Sequence, residues 1–147
     1  MHRLIHTQFW LLLLIGFTLG FDAGAAAKAP GRQDWQQMRS VIAAQLDAFK
    51  RDDDVTAFSL AAPSIRSQFR TPSNFMQMVR TGYSAVYRPR SVRFLKQLMV
   101  MGRPVQPLEI VAHNDAVTVA YYLMEQQRDG SWRIAGCSLK DSAGVAV

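Results

Sequence analysis

Apolar residues in the first half of the chain recur at the spacing of helices. From residue 34 to residue 50 they fall at steps of three and four, which places them on one face of an amphipathic helix. Asp34 is the predicted cap of this helix. A shorter helix is predicted after an aspartate cap in "RDDDVTAFSL", and another begins at Thr71 and Pro72. The face of the first helix consists of Trp35, Met38, Val41, Ile42, Leu46 and Phe49.

The segment that follows these helices has a different pattern. Gly82 is predicted to end the preceding helix in a left-handed conformation. Pro89 lacks a backbone donor and holds the residue before it extended. Residues 83–90 are therefore predicted to form an extended bridge, with Tyr83 and Tyr87 pointing to one side.

From Ser91 onward, apolar and polar residues alternate with a period of two, which indicates strands. The connections between the strands are too short for crossover helices, so the strands should pair as an antiparallel meander. Helices followed by strands predict an α+β fold, with the N-terminal helices packed on a curved four-stranded sheet. The four predicted strands are "SVRFLKQLMVM", "VQPLEIVA", "AVTVAYYLMEQQ" and "SWRIAGCSLK".

The third predicted strand is apolar on both faces. In "VTVAYYLM", Val117, Val119, Tyr121 and Leu123 point one way, while Ala120, Tyr122 and Met124 point the other. One face can meet the helices, and a large exposed apolar face is seldom left bare. We therefore predict a homodimer packed through the sheet, with Tyr122 and Met124 or the opposite set in the interface. The alternative is that the C-terminal tail or a loop covers this face.

The first 27 residues have the layout of a secretory signal peptide. Arg3 precedes an apolar run from Phe9 to Phe21, and small residues follow up to Ala27. As a helix this run spans about 20 Å, against about 30 Å of hydrocarbon, which favours cleavage over an N-terminal membrane anchor. The anchor stays the alternative. We expect a periplasmic or secreted protein that has no membrane attachment after leader cleavage.

The chain is predicted to consist of four segments. These are a signal peptide over residues 1–27, a linker over 28–33, a single α+β domain over 34–141 and a flexible tail over 142–147. The chain has 17 Lys and Arg against 11 Asp and Glu, a net charge of +6. Because the basic residues are scattered and no reading motif occurs, we expect no nucleic-acid partner. A weak attraction to anionic lipid or to an acidic protein is compatible with this charge.

Few residues offer reactive chemistry. Cys137 is the only cysteine, so no internal disulfide forms, and its place in a strand predicts a buried, inert thiol. His113 stands alone in a predicted turn. No set of His, Cys or carboxylate residues has metal-ligand spacing and no glycine-rich phosphate loop occurs, so neither a metal nor a cofactor is predicted. Trp132 is predicted to anchor the core.

A candidate binding site lies on the predicted bridge. Tyr83, Tyr87, Arg88 and Arg90 could form the lip of a pocket for an acidic ligand or partner, because guanidinium groups bind carboxylates and phosphates with two hydrogen bonds. In the alternative, each arginine pairs with a nearby aspartate, such as those in "RDDD", and the tyrosines close the domain with their rings inside.

Several stretches also resemble a known family. "AAPSI", "TPSNFMQMV", "GYSAVYRPRSVRF" and "DGSWRIAGC" are similar to the bacterial family called domain of unknown function 4864, over nearly all of the chain after the leader. The order of elements resembles the cystatin-like, nuclear transport factor two-like (SnoaL-like) cone fold. The resemblance implies that fold and an exported setting, and it implies no catalytic residue.

Two classes of function follow, and the non-catalytic one is favoured. It is a module that holds a small ligand or a partner in the cone cavity or on the sheet face. The alternative rests on resemblance to polyketide cyclases and ketosteroid isomerases, which implies an isomerase, lyase or cyclase with a carboxylate in an apolar pocket. A buried carboxylate facing a tyrosine would favour the enzyme, and a cavity without one would favour the module. The carboxylate candidates are Glu109, Glu125 and Asp47, and the donor candidates are Tyr83, Tyr87, Tyr121 and Tyr122.

Overall fold

The structure is a computed structural model that describes residues 28–142. The predicted signal peptide and residues 143–147 of the predicted tail lie outside the described residues. Helices come first and strands follow, which confirms the predicted α+β class. The helices are α1 (Arg32–Lys50), α2 (Asp54–Ser59), α3 (Pro63–Phe69), α4 (Pro72–Gly82) and α5 (Ser84–Tyr87), and the strands are β1 (Ser91–Phe94), β2 (Leu98–Val100), β3 (Arg103–Val111), β4 (Val117–Gln126) and β5 (Trp132–Asp141).

Helix α1 begins at Arg32 with Gly31 as its N-cap, three residues before the predicted cap. Asp34 is not its cap but lies in the first turn, where its Oδ2 accepts a hydrogen bond from the Gly31 N–H at 2.8 Å. An acidic side chain at this position satisfies a free donor and complements the positive end of the helix dipole. Residues 32 and 33, which were predicted as linker, therefore belong to the helix. The predicted apolar face is buried most completely at Met38, Ile42, Leu46 and Phe49.

Local start signals explain the short helices. Asp53 caps α2 by accepting a hydrogen bond from the Thr56 N–H at 3.1 Å. Thr71 caps α4 in the same way, with the Asn74 N–H as its donor, also at 3.1 Å. Pro72 occupies the first helical position, where a missing N–H does no harm. The predictions for Thr71 and Pro72 are confirmed.

The predicted extended bridge is wrong over most of its length. Gly82 is the last residue of α4 and does not adopt a positive φ. Tyr83 breaks the helix with φ −132°, and the next four residues turn helically as α5. Pro89 restricts only the residue before it, so nothing prevents this turn, and the burial of Val86 stabilises it. Arg88 is extended, as predicted, with φ −146°.

The strands form one antiparallel sheet that is not closed, in the order β1-β3-β4-β5. The structure has five strands where the sequence predicted four, because the first predicted strand divides into β1 and β2. Both halves pair with the same neighbour, β3. The interruption falls at residues 95–97.

The side chain of Gln106 accompanies the break between β1 and β2. It is fully buried, and its Nε2 donates to the carbonyl oxygens of Leu95 and Pro107, at 2.9 and 2.8 Å. Pro107 has no N–H to offer a neighbouring strand. The side-chain amide therefore satisfies a carbonyl of the interrupted strand that no regular ladder bond reaches.

The sheet buries one face against the helices. On β3 and β4 this face carries Leu108, Ile110, Ala120, Tyr122 and Met124, each at most 1% exposed. They pack with the apolar side of α1 and with a cluster of four phenylalanines, in which the ring centroid of Phe75 lies 5.5 to 6.4 Å from those of the other three. The phenylalanines are Phe49, Phe58, Phe69 and Phe75.

This orientation decides between the two interface sets proposed for a dimer. Tyr122 and Met124 lie in the core, so they are not available to a partner. The opposite set, Val117, Val119, Tyr121 and Leu123, faces away from the helices and is half-buried. Within residues 28–142, none of the helices has both the length and the apolar character required to cross a membrane.

Candidate functional site

A cavity of about 320 Å³ lies between the helices and the sheet. Its volume is at the lower end of the range for small-molecule sites, roughly 300 to 1,000 Å³. Gln68 is exposed and Tyr83 half-buried, which places the opening between α3 and the end of α4. The walls are formed by Gln45 and Phe49 of α1, Ala61, Ile65, Gln68 and Phe69 at α3, Phe75, Met78 and Val79 of α4, Tyr83, Val86, Tyr122 of β4, and Ile134, Ala135, Gly136 and Cys137 of β5.

The cavity exists because α3 is held beside β5 while small residues line the strand. The chain entering α3 is fixed by two backbone hydrogen bonds with Ile134. The Ile134 N–H donates to the Leu60 oxygen at 3.0 Å, and the Ala62 N–H donates to the Ile134 oxygen at 2.8 Å. The pairing of β4 with β5 shifts register at a bulge between Leu123 and Met124. Beside this bulge, β5 carries "AGC", whose small side chains do not fill the space below α3.

Tyr122 is the most unusual residue of the wall. It is 1% exposed, and its hydroxyl has no hydrogen-bond partner among the described residues. Burial raises the pKa of this hydroxyl well above its ordinary value, so it stays a neutral donor. An unpaired buried hydroxyl costs about 1 to 3 kcal/mol of stability, which makes it a group that requires explanation.

Cys137 lies directly across the ladder from Tyr122. Burial raises the pKa of its thiol to about 12, which the nearby tyrosine hydroxyl only partly offsets. The two groups influence each other's ionisation without meeting the distance and angle of a hydrogen bond. The thiol is half-buried rather than fully buried as predicted, and its raised pKa keeps it protonated at neutral pH. His113 lies in the exposed turn between β3 and β4, five ladder positions or more from Cys137, so the two form no catalytic pair.

The remaining polar groups of the wall are uncharged. Gln45 is 3% exposed, and its Nε2 donates to the Ala57 oxygen at 3.1 Å. Gln68 and Tyr83 lie toward the opening. No carboxylate, histidine, lysine or arginine is among the wall residues in the part of the chain that the structure describes. The cavity thus offers apolar contact and a few neutral hydrogen-bonding groups.

The four residues of the predicted lip do not line one pocket. Tyr83 belongs to the cavity wall. Tyr87 and Arg88 instead contact Asp52, the tyrosine by donating its hydroxyl hydrogen and the arginine through Nη2. Arg90 forms an ion pair with Asp115. The contact with Asp52 is what the alternative of nearby aspartate partners predicts, and the acidic-ligand role of these residues stays a prediction.

Asp52 is the centre of this surface cluster, and the sequence did not single it out from its neighbours. It has a positive φ of 52°, and Arg80 adds a further ion pair at 3.2 Å. The hydroxyl of Tyr87, followed by the arginines, lowers the pKa of Asp52 below its ordinary value. The cluster joins the loop after α1 to the ends of α4 and α5.

The carboxylate candidates for catalysis all lie away from the cavity. Glu109 accepts two hydrogen bonds from Arg93 on the next strand, at 3.2 and 2.9 Å. Glu125 lies 4.0 Å from Arg103, and Asp47 pairs with Arg51 on the surface of α1. Tyr121 is on the outer face of the sheet, with the Lys140 ammonium 5.6 Å from its ring centroid. Of the four tyrosines considered as donors, only Tyr83 and Tyr122 reach the cavity.

Fold and site together define the class of this protein. It is an α+β domain with helices on one face of an open antiparallel sheet and a neutral cavity between the two layers. Residues 31–147 match the family described as Domain of unknown function (DUF4864), and the chain belongs to that family. No curated protein matches the chain. Its placement in the wider cystatin-like cone fold stays a prediction.

Proposed function

We propose that the protein is a non-catalytic binding module that holds a small, uncharged and mostly apolar molecule in the cavity between α3, α4 and β5. The observation that carries this proposal is the buried Tyr122 hydroxyl, which lacks a partner among the described residues. Tyr122 lines the cavity, and a bound molecule with a hydrogen-bond acceptor is the partner we propose for its hydroxyl. Such an arrangement, a largely apolar pocket with few oriented polar groups, is typical of small-molecule sites.

The charge of the walls supports an uncharged ligand. A carboxylate or phosphate in this cavity would lose its hydration without meeting a cation, and an isolated buried charge is strongly unfavourable. A carbonyl, ether or hydroxyl oxygen can instead accept from Tyr122, while the aromatic and aliphatic walls contact the rest of the molecule. The absence of a carboxylate or histidine from the described wall also favours binding over the isomerase, lyase or cyclase alternative.

The proposal can be tested with two matched fluorescent probes. 6-Acetyl-2-dimethylaminonaphthalene carries a ketone, and 2-dimethylaminonaphthalene is the same ring system without it. The wild-type protein should bind both probes, and the Tyr122→Phe variant should bind the ketone about five- to tenfold more weakly, as expected for one buried hydrogen bond. Binding of the probe without a ketone should not change.

Two controls make the test specific. Tyr121→Phe removes a hydroxyl from the opposite face of the sheet and should leave the affinity of both probes unchanged. Tyr122→Phe should melt at the same temperature as the wild type or higher in the absence of probe, because it removes an unpaired buried polar atom. Equal loss of both probes, or failure of the wild type to bind either one, would contradict the proposal.

The cellular setting is part of the same proposal. The charged start, short apolar run and small residues of the first 27 residues support export, with a mature N-terminus between Ala25 and Ala29. N-terminal sequencing of the protein recovered from its own cells tests this. An intact Met1 in the membrane fraction would instead support the anchored form.

A further inference from the structure

The hairpin that joins β2 and β3 exposes an unusual run of apolar side chains. Leu98, Met99 and Val100 are 40%, 47% and 48% exposed, and Met101 is 96% exposed. These four consecutive residues, which we name the apolar tip, account for four of the five exposed large hydrophobic residues among residues 28–142. Isolated apolar residues on a surface are ordinary, but a contiguous exposed group marks an interaction site.

Met101 is also a poor residue for its own turn. Met101 and Gly102 form a two-residue connection, and both have positive φ, at 51° and 74°. The first position of such a turn favours asparagine, aspartate or glycine, because other side chains clash with the backbone there. Nothing inside the fold compensates for a methionine that is almost fully exposed. A residue that is unfavourable at its turn position and gains no contact inside the fold indicates a binding role outside the fold.

The apolar tip lies at the end of the sheet where the described chain begins. Val105 of β3 pairs with Leu123 of β4, so the turn at Met101 is at the same end as the turn between β4 and β5. The start of α1 is there too, because Trp132 at the beginning of β5 donates through Nε1 to Asp34 at 3.3 Å. The apolar run from Phe9 to Phe21 precedes this end in the sequence.

Basic residues surround the same end. Five basic residues at this end are exposed or half-buried, against the three carboxylates Asp34, Glu125 and Asp129, of which Glu125 lies 4.0 Å from Arg103. An apolar projection with a basic surround matches the interface of an anionic bilayer, where apolar groups enter the headgroup region and cations meet the lipid phosphates. The basic residues are Lys28, Arg32, Arg103, Arg128 and Arg133.

We propose that this end of the sheet is a lipid-contacting surface, in which the apolar tip inserts into the headgroup region of an anionic membrane. The inference does not depend on the proposed cavity ligand. A second copy of the chain fits this surface less well. The free edge of β2 is only three residues long, and a two-fold pair would bring two basic ends together.

A fluorophore at the apolar tip tests the proposal on the full chain. An environment-sensitive nitrobenzoxadiazole label is attached through Met101→Cys, or, as the matched control, through His113→Cys in the exposed turn at the opposite end of the sheet. Both labelled variants carry Cys137→Ala, so that the label has a single thiol to react with. Vesicles of phosphatidylcholine with phosphatidylglycerol should raise the emission intensity of the Met101 label several-fold and shift its maximum to the blue. They should leave the emission of the His113 label unchanged. Because the two labelled variants share the same chain and differ only in the position of the label, the comparison holds whether or not the leader is present.

The proposal would be overturned by no response at Met101, or by an equal response at both labels. It would also be overturned by a response at Met101 that depends on protein concentration without vesicles, which would indicate self-association. Pure phosphatidylcholine vesicles giving the same response as anionic ones would also overturn it, because the basic residues would then play no part.

Two unlabelled variants supply an independent readout by vesicle sedimentation. Met101→Asn should bind about fivefold more weakly while its melting temperature stays the same or rises, because asparagine suits the turn. Arg128→Glu should weaken binding about tenfold or more, since it removes one basic residue from the surface and adds a carboxylate there. Lys50→Glu, at the far end of α1, changes the net charge equally and should bind as the wild type does. Equal losses for both charge variants would show attraction by net charge alone and refute a specific surface.

Discussion

Tyr122 and Cys137 face each other across the ladder between β4 and β5, and both are held in their neutral forms. A buried tyrosine and a half-buried thiol that are both neutral suit a site that accepts uncharged molecules, because ionisation of either would place an uncompensated charge in the wall. The same burial makes the stability of the folded protein depend on pH in the alkaline range. The thiol ionises more readily in the unfolded chain than in the folded protein.

This linkage gives a prediction for Cys137. Its pKa rises from 9.0 to about 12 on folding. The stabilisation is therefore fully present below pH 9 and is lost as the pH rises from 9 toward 12. Between pH 8 and 10.5, urea denaturation should show the wild type losing about 2 kcal/mol more stability than Cys137→Ala. Parallel pH profiles for the two proteins would show that the thiol does not carry this dependence.

The sequence predicted what individual residues do where the reason is local. Thr71 is an example, because a helix cap depends on near neighbours. The role of Tyr122 was harder to predict. Alternation placed it on one face of β4 but not on a particular side of the sheet, and its unpaired hydroxyl depends on where α3 and β5 leave a space. That space results from packing between segments distant in sequence.

Among the helices and strands, the confirmed predictions are likewise those that rest on local sequence signals. Helix starts and the antiparallel meander follow from caps, period and short connections. The break between β1 and β2 does not follow from such local signals, because it involves Gln106 from the following strand. Helix α5 was missed because Pro89 was given influence over residues beyond its immediate predecessor.

The cluster around Asp52 gives a prediction at the scale of elements. Arg88→Ala should lower the melting temperature by about 2 to 4 °C, because it removes a surface ion pair that joins the loop after α1 to α5. Asp52→Asn should lower it at least as much, since it weakens the contacts to Arg80, Tyr87 and Arg88 while keeping a residue that tolerates positive φ. Differential scanning calorimetry measures both.

Arg66→Ala is the control for this cluster, because Arg66 is exposed on α3 and forms no ion pair with the described residues. Its melting temperature should equal that of the wild type. If Arg88→Ala, combined with Arg90→Ala, melts like the wild type but loses molecules that copurify with it, the arginines bind a ligand rather than holding the loop. That outcome would restore the predicted lip.

At the scale of the whole molecule, the outer face of the sheet bears on assembly. Val117, Val119, Tyr121 and Leu123 form its centre and are half-buried, partly because Lys140 lies over the Tyr121 ring. The Arg93–Glu109 ion pair adds a charged border across the neighbouring strands. An apolar centre with a charged border has the anatomy of a protein interface.

We therefore predict a homodimer that packs through this face, and sedimentation equilibrium at micromolar concentration should give twice the chain mass. Tyr121→Glu should shift the equilibrium to monomer. It places a charge in the interface, yet the monomer should stay folded because the new carboxylate can pair with the Lys140 ammonium. Gln37→Glu, on the exposed side of α1, adds the same charge elsewhere and should remain dimeric. A wild type that sediments only as a monomer would contradict the dimer. The charged border and the Lys140 side chain would then be sufficient cover for this face, as such long side chains are on many solvated sheets.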